Sequence, residues 1–394
     1  MANFSGGSIP LVGFGCGSPF KETYLEAVKL GYRHFDTAFA HKNHWVVGEA
    51  IRSSGVPREE IFLTTKVSGI LSSLRCCFGL VDLPWPPSDP SVNDPLAGAG
   101  TYAKGRELEG LRLALKELGL DYIDLCLIHR PSVTPFEMQA LYLPHYHNMG
   151  IIQDVRLRYA LQELLNAAVR LENMGSGREE IRRKRADAWR QMEEAKRLGI
   201  CKHIGVSNYP LGALKEMEGY AREMPQVIQM ENTPICRFPA ILDYAREKNM
   251  AVTGYGTGIS KGVAFMQIHA MSQRLGRTPN QVVLRWRLQH NVGLLQGSFN
   301  PAHMKENLEV LDFELSPADM AELDRLNRDF PLYFDLSWFD SRDGDLLRSF
   351  LIVAGALLIG ATVGSAGCCL CCCCFRPCRK RASSGAADTA KKDA

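Results

Sequence analysis

Eight short runs rich in β-branched and aromatic residues recur along this chain, separated by stretches with helical periodicity. They are LVGFG at 11–15, HFDTA at 34–38, IFLTTKV at 61–67, YIDLCLIH at 122–129, HIGVSNY at 203–209, VIQMENT at 227–233, AVTGYG at 251–256 and VGLLQGS at 292–298. Strands alternating with helices in this number fit a closed (β/α)8 TIM barrel better than an open sheet. The segment 104–121 shows the helical pattern well, with Leu108, Leu111, Leu115 and Leu118 on one stripe. A parallel barrel puts its chemistry where strands give way to loops. Three of these runs, the first extended to HFDTAFAH at 34–41, end in Asp36 and His41, Lys66, and His129, which together can build one proton-transfer site.

Two stretches break the rhythm. Residues 71–103, after the third strand, are rich in Pro, Gly and Ser and read as a long loop. Residues 132–185, after the fourth strand, contain a helical stripe of Leu157, Leu161, Leu164, Ala168 and Leu171. The basic end of that insertion, Arg178 to Arg185, reads as a solvated helix surface. Both insertions leave the expected catalytic face and offer a place for a protein partner.

The chain has 394 residues, which suits one barrel of roughly 250 residues with additions. We divide it into a barrel over 1–335, a linker over 336–349, a hydrophobic segment over 350–375 and a basic, disordered tail over 376–394. Lys and Arg total 46 against 43 acids, a balance that argues against a nucleic-acid footprint and for small-molecule partners. Cys16, Cys76, Cys77, Cys126, Cys201 and Cys236 show no paired spacing and read as reduced, mostly buried thiols. The start, MANFSGGSIP, lacks the features of a signal peptide, so the barrel is expected to face the cytosol.

The segment from Phe350 to Phe375 carries no charge and exceeds the ~20 residues that cross a bilayer core. It reads as a membrane anchor. At its C-terminal end, Cys368, Cys369, Cys371, Cys372, Cys373 and Cys374, with Cys378 just beyond, adjoin Arg376, Arg379, Lys380 and Arg381, a cluster that resembles a juxtamembrane acylation (palmitoylation) site. The basic flank favours a cytosolic C-terminus, whereas a single span would send it across the membrane. A tail-anchored span and a shallow acylated hairpin both remain open.

Taken in order, HFDTAFAHKNHWVVGEAI, LIHRP, IGVSNY, VIQMENTP, AVTGYG, RTPNQVVLRWRLQ and SFNPAHMKENLEVLDFELSPADM resemble the motifs of the aldo-keto reductase family over residues 8–335, the two insertions excepted. The resemblance implies reduction of an aldehyde or ketone, or the reverse oxidation, with NADPH or NADH. Its residue-by-residue implications are specific. Asp36 and Lys66 match the family's tuning pair, and His129 matches the histidine that orients the substrate oxygen. Ser207, Asn208 and Gln229 match the groups that hold the nicotinamide carboxamide, and Tyr255 the tyrosine that stacks on the ring. Ser298, His303, Glu306 and Asn307 fall at the adenosine end. There Gly297 and His303 replace the lysine and arginine that clamp a 2′-phosphate, which implies a reduced preference for NADPH.

The main departure is His41, which stands where the family has its proton-donating tyrosine. An alkoxide left by hydride transfer needs a proton donor and a polarising cation. Lys66 should push His41 towards neutrality while Asp36 pulls the other way. His41 can be a proton donor or water relay, part of a degraded site that still binds cofactor, or a repurposed group. The degraded reading makes the protein a nicotinamide-cofactor sensor or scaffold. The blander alternatives are an ion pair for Asp36 and Lys66 and a core imidazole for His129. His41, His44 and His129 superficially suggest a metal site, but no fourth ligand accompanies them, and no metal is expected.

Overall fold

The computed structural model describes residues 1–67, 106–131, 177–256 and 263–327. Their strands are β1 (Ala2–Phe4), β2 (Gly7–Ile9), β3 (Val12–Gly15), β4 (His34–Asp36), β5 (Phe62–Val67), β6 (Ile123–Ile128), β7 (Cys201–Ser207), β8 (Val227–Glu231), β9 (Ala251–Tyr255) and β10 (Val292–Leu295). The last eight close into a parallel barrel in the order β10-β3-β4-β5-β6-β7-β8-β9. All eight runs singled out in the sequence become its staves. Every residue of β6 and β8 is buried, as expected where one face meets the barrel interior and the other the helix layer.

The helices are α1 (Lys21–Leu30), α2 (His44–Ser53), α3 (Glu107–Leu118), α4 (Gly177–Arg197), α5 (Leu211–Met217), α6 (Pro239–Glu247), α7 (Val263–Leu275), α8 (Pro279–Gln289), α9 (Pro301–Leu308) and α10 (Pro317–Asp324). Local chemistry sets their ends. Gly31 and Gly119 adopt φ of 106° and 61°, the left-handed conformation that terminates α1 and α3 at little steric cost. Thr278 with Gln281, and Ser316 with Asp319, form reciprocal capping boxes at the starts of α8 and α10. Leu111 and Leu118 of α3 are fully buried, with Leu108 and Leu115 packed beside them. Helix α2 lies so close to α3 that a Cβ on Gly48 would sit 2.0 Å from the Leu118 carbonyl oxygen.

The antiparallel pair β1–β2, which the sequence reading leaves unassigned, closes the barrel floor. Ala2, Phe4 and Ile9 pack on Leu125, Leu127, Val227 and Ala251, and Ser5 bonds to Asn249 and Gln226 ahead of β9 and β8. The C-terminal ends of the strands lie at the opposite end. Helix α7 is a second unforeseen element, with Ile268 and Met271 packed against Val282, Val283 and Trp286 of α8.

Two expectations need correction. Cys126 and Cys201 are not reduced thiols but form a disulfide across the neighbouring strands β6 and β7, with Cα atoms 5.9 Å apart. Their separation of 75 residues hides the pairing from a reading based on local spacing. Cys16 is a free, buried thiol, as expected, and Cys236 is buried as well. The basic stretch at the start of α4 is only partly solvated: Arg183 and Lys184 are exposed, but Arg185 is buried and donates two 2.8 Å bonds to the Glu216 carboxylate. Cys76, Cys77, the loop 71–103, the stripe at 157–171, the hydrophobic segment 350–375 and the cysteine-rich tail lie outside the described residues. Among those described, no helix is long and apolar enough to cross a membrane.

Candidate active site

In a strand, alternate side chains share a face, so Asp36 and Lys66 both point into the barrel from the ends of β4 and β5. The Lys66 ammonium donates to Asp36 Oδ1 and, at 2.9 Å, to the Thr37 carbonyl. Asp36 Oδ2 accepts from Gln229 Nε2 at 2.8 Å. Both carboxylate oxygens are thus satisfied, and both charges are nearly sealed from water, with side chains 7% and 4% exposed. The pair fixes an ammonium at the mouth.

Around the mouth, the Asn208 amide donates to the His129 carbonyl at 3.0 Å and to Ser207 Oγ at 3.1 Å. Tyr255 completes the row, its hydroxyl donating to Asn208 Oδ1 at 2.5 Å. Asn208 takes a φ of 57°, a left-handed conformation that asparagine tolerates better than most residues. Ser207, Asn208, Gln229 and Tyr255 therefore stand together with Asp36, Lys66 and His129.

His41 sits in a 3-10 turn over Phe39–His41, just ahead of α2. It is half-buried, and its Nδ1 has no hydrogen-bond partner among the described residues. Loss of water lowers its pKa from 6.5 to about 4, with the Lys66 charge reinforcing the shift and Asp36 opposing it. That coupling puts His41 within electrostatic range of the buried pair. His129 is pushed well below its ordinary range by loss of water and by the nearby Arg130 and Lys66 cations. Burial also lowers Arg130, to about 10. Both imidazoles are neutral at pH 7, so the neighbourhood holds the Lys66 ammonium, the Arg130 guanidinium, one carboxylate and two neutral hydrogen-bonding rings. Such a set can polarise a carbonyl and pass a proton to the oxygen.

The adenosine-end candidates lie apart. Ser298 Oγ accepts from the Asn300 amide at 3.1 Å, and His303 is exposed on α9. Glu306 and Asn307 tie α9 to α8: Glu306 accepts from the Thr278 hydroxyl, and Asn307 accepts from Asn280 at 2.7 Å. Gly297 presses on β3, where an added Cβ would come within 2.4 Å of the Gly15 carbonyl oxygen.

His44 is tied to partners other than His41. It bonds through Nδ1 to Glu117 at 2.8 Å and through Nε2 to Thr65 at 2.7 Å. No group of ligating side chains suited to a metal occurs among the described residues.

Two supporting residues escaped the sequence reading. Cys16 lies at the end of β3, where its backbone N–H donates to the Asp36 carbonyl at 2.8 Å. Burial, then the Asp36 charge, raises its thiol pKa. Asn43 donates to the carbonyls of Cys16 and Ser18 and to the Tyr24 hydroxyl, and accepts from Thr37, so it pins the loop carrying His41. It lies within the motif that carries the resemblance, but among polar His41, Lys42 and His44 no signal in the sequence sets it apart.

The model of the aldo/keto reductase family matches residues 19–264 and 263–328. This chain belongs to the aldo/keto reductase family. It is 29% identical over 338 residues to the (1S)-1,7-diacetoxy-luvungin A aldo-keto reductase of Citrus sinensis, covering 81% of this chain and 86% of that protein. The NAD(P)H-dependent D-xylose reductase I,II of Candida tropicalis is 28% identical, over 85% of this chain and 93% of its own length. Among solved structures, the aldose reductase of Schistosoma japonicum superposes with a TM-score of 0.58 at 23% identity, covering 83% of this chain and 92% of that one, and supports the fold. Family membership implies NAD(P)H-dependent carbonyl reduction.

The depressed His41 pKa sets a pH dependence of stability. Between about 4 and 6.5 the unfolded chain holds a proton on this histidine that the folded chain does not, so stability falls as pH drops through that window. His34, also lowered to about 4, acts in the same direction. Thermal melting from pH 7 down to 4.5 should show a falling midpoint in the wild type and a shallower fall in His41→Phe. Parallel curves would contradict the assignment.

Proposed function

We propose that this chain reduces an aldehyde or ketone to an alcohol, and catalyses the reverse oxidation, with NADPH or NADH as the hydride source. The supporting observation is the buried Asp36–Lys66 pair lying within hydrogen-bond and charge range of Gln229 and His41 at the barrel mouth. The residues present suit a nicotinamide group: Ser207, Asn208 and Gln229 carry donors and acceptors complementary to a carboxamide, and Tyr255 offers a flat face. When bound, the dinucleotide supplies the hydride. His129 orients the carbonyl oxygen as a neutral imidazole, Lys66 stabilises the negative charge that develops there, and Asp36 holds Lys66 in place. His41 delivers the proton, directly or through a water, and its unpartnered Nδ1 leaves a buried polar atom for that contact.

The same low His41 pKa favours a second reading, a cofactor-binding sensor or scaffold without useful turnover. We also propose, from sequence alone, that the segment Phe350 to Phe375 with its cysteine cluster anchors the barrel to a membrane, with the barrel on the cytosolic side.

Two measurements test these readings. With His41 neutral at pH 7, carbonyl reduction should accelerate as pH falls from 7 towards 5. His41→Tyr should raise kcat at pH 7 by about tenfold, because a phenol is longer than an imidazole and Lys66 stands by to acidify it. A lower kcat in the mutant would instead give His41 a role of its own, and no turnover from pH 5 to 8 would favour the sensor reading. For the cofactor, a glycine at 297 and an exposed histidine at 303 leave few fixed cations for a 2′-phosphate. The dissociation constants of NADPH and NADH should differ by less than about tenfold, one charge-assisted bond's worth, and a preference for NADPH of about a hundredfold or more would refute this.

A further inference from the structure

Arg287 is a fully buried guanidinium on α8 that the carbonyl chemistry does not use. Its Nε donates to the Asn232 carbonyl at 2.8 Å and its Nη1 to the Gly254 carbonyl at 3.0 Å. Its Nη2 reaches the carbonyls of Asn232, Gly256 and, at 3.5 Å, Tyr255. Gly254 and Tyr255 are the last ladder residues of β9, and Asn232 and Gly256 lie just past the final pair Glu231–Tyr255 at the C-terminal ends of β8 and β9. One planar cation thus gathers the ends of two adjacent staves, a task its fixed fork of donors suits and a lysine's single ammonium does not.

A second observation points the same way. Gly254 faces the helix layer, and a Cβ there would meet Arg287 Cδ at 2.8 Å and Nε at 3.0 Å. Residue 254 is small where the guanidinium needs space. The next residue, Tyr255, alternates to the barrel interior, where its hydroxyl bonds to Asn208, which in turn holds the His129 carbonyl. A short connected path therefore runs from Arg287 through the Tyr255 backbone to the row at the mouth.

We infer that Arg287 is a positioning residue for the dinucleotide: by clamping the ends of β8 and β9 it fixes the plane that the Tyr255 ring presents to the nicotinamide. The inference rests on the proposed function above, since it needs Tyr255 to meet that ring. Its effect belongs to cofactor affinity and not to the affinity for the carbonyl substrate.

The test titrates the full chain with NADH and NADPH, followed by quenching of protein fluorescence, in wild type, Arg287→Ala, Arg287→Lys and Gly254→Ala, with thermal melting measured in parallel. Arg287→Ala should weaken cofactor binding about tenfold, the scale of one charge-assisted hydrogen-bond set. Millimolar guanidinium chloride, but not sodium chloride, should restore most of it. Arg287→Lys and Gly254→Ala should fall between, and they carry the test if Arg287→Ala does not fold. Variants that melt lower yet bind cofactor as tightly as wild type would make Arg287 purely structural and overturn the inference alone. A well-folded wild type that binds neither dinucleotide would overturn the proposed function and the inference with it.

Discussion

The barrel mouth depends on one buried ion pair. Removing a carboxylate and an ammonium from water is costly, and the cost is offset only when geometry and further hydrogen bonds satisfy both ions. Here Asp36 is shared between Lys66 and Gln229, while Lys66 also reaches the Thr37 carbonyl. Breaking such a pair by removing one partner typically costs ~3–5 kcal/mol, because the survivor is left buried and unpaired. A pair replaced by apolar groups would often do as well for stability alone. Its retention at the end of two staves, beside a half-buried imidazole, fits a group kept for its charge.

The same pair explains the state of His41. An ammonium close by and little surrounding water both disfavour imidazolium, and the Asp36 carboxylate opposes them without prevailing. The floor of the barrel is covered by Phe4 and Ile9, and these groups stand at the opposite, C-terminal end of the strands. Asn43, bonded to four neighbours, holds the intervening loop. Position and protonation of the histidine thus follow from its frame.

Much of this was legible in the chain, for identifiable reasons. The staves stood out because parallel strands buried on both faces are written as continuous apolar runs, and the site residues because a charged group interrupts or ends such a run, as Lys66 does in IFLTTKV. The disulfide did not stand out, because Cys126 and Cys201 are brought together by strand adjacency and not by spacing. The buried Arg185 looked like one more member of a basic run, since only the packed position of Glu216 distinguishes it from exposed Lys184. The hairpin floor was missed because its strands are three residues long and rich in small and polar residues. Glu306 and Asn307 are drawn into the packing of α8 on α9, a contact that no motif reveals.

In the proposed reaction Asp36, Lys66, His41 and His129 act at the reactive carbon of one bound dinucleotide. Single-turnover reaction of an aldehyde with NADH or NADPH deuterated at the transferring C4 position tests it most directly. Deuterium should appear at the carbinol carbon of the product with a primary isotope effect, and transfer should slow by orders of magnitude in Lys66→Met while the cofactor still binds. Bound cofactor with no deuterium transfer to any aldehyde between pH 5 and 8, or transfer undiminished in Lys66→Met, would contradict it.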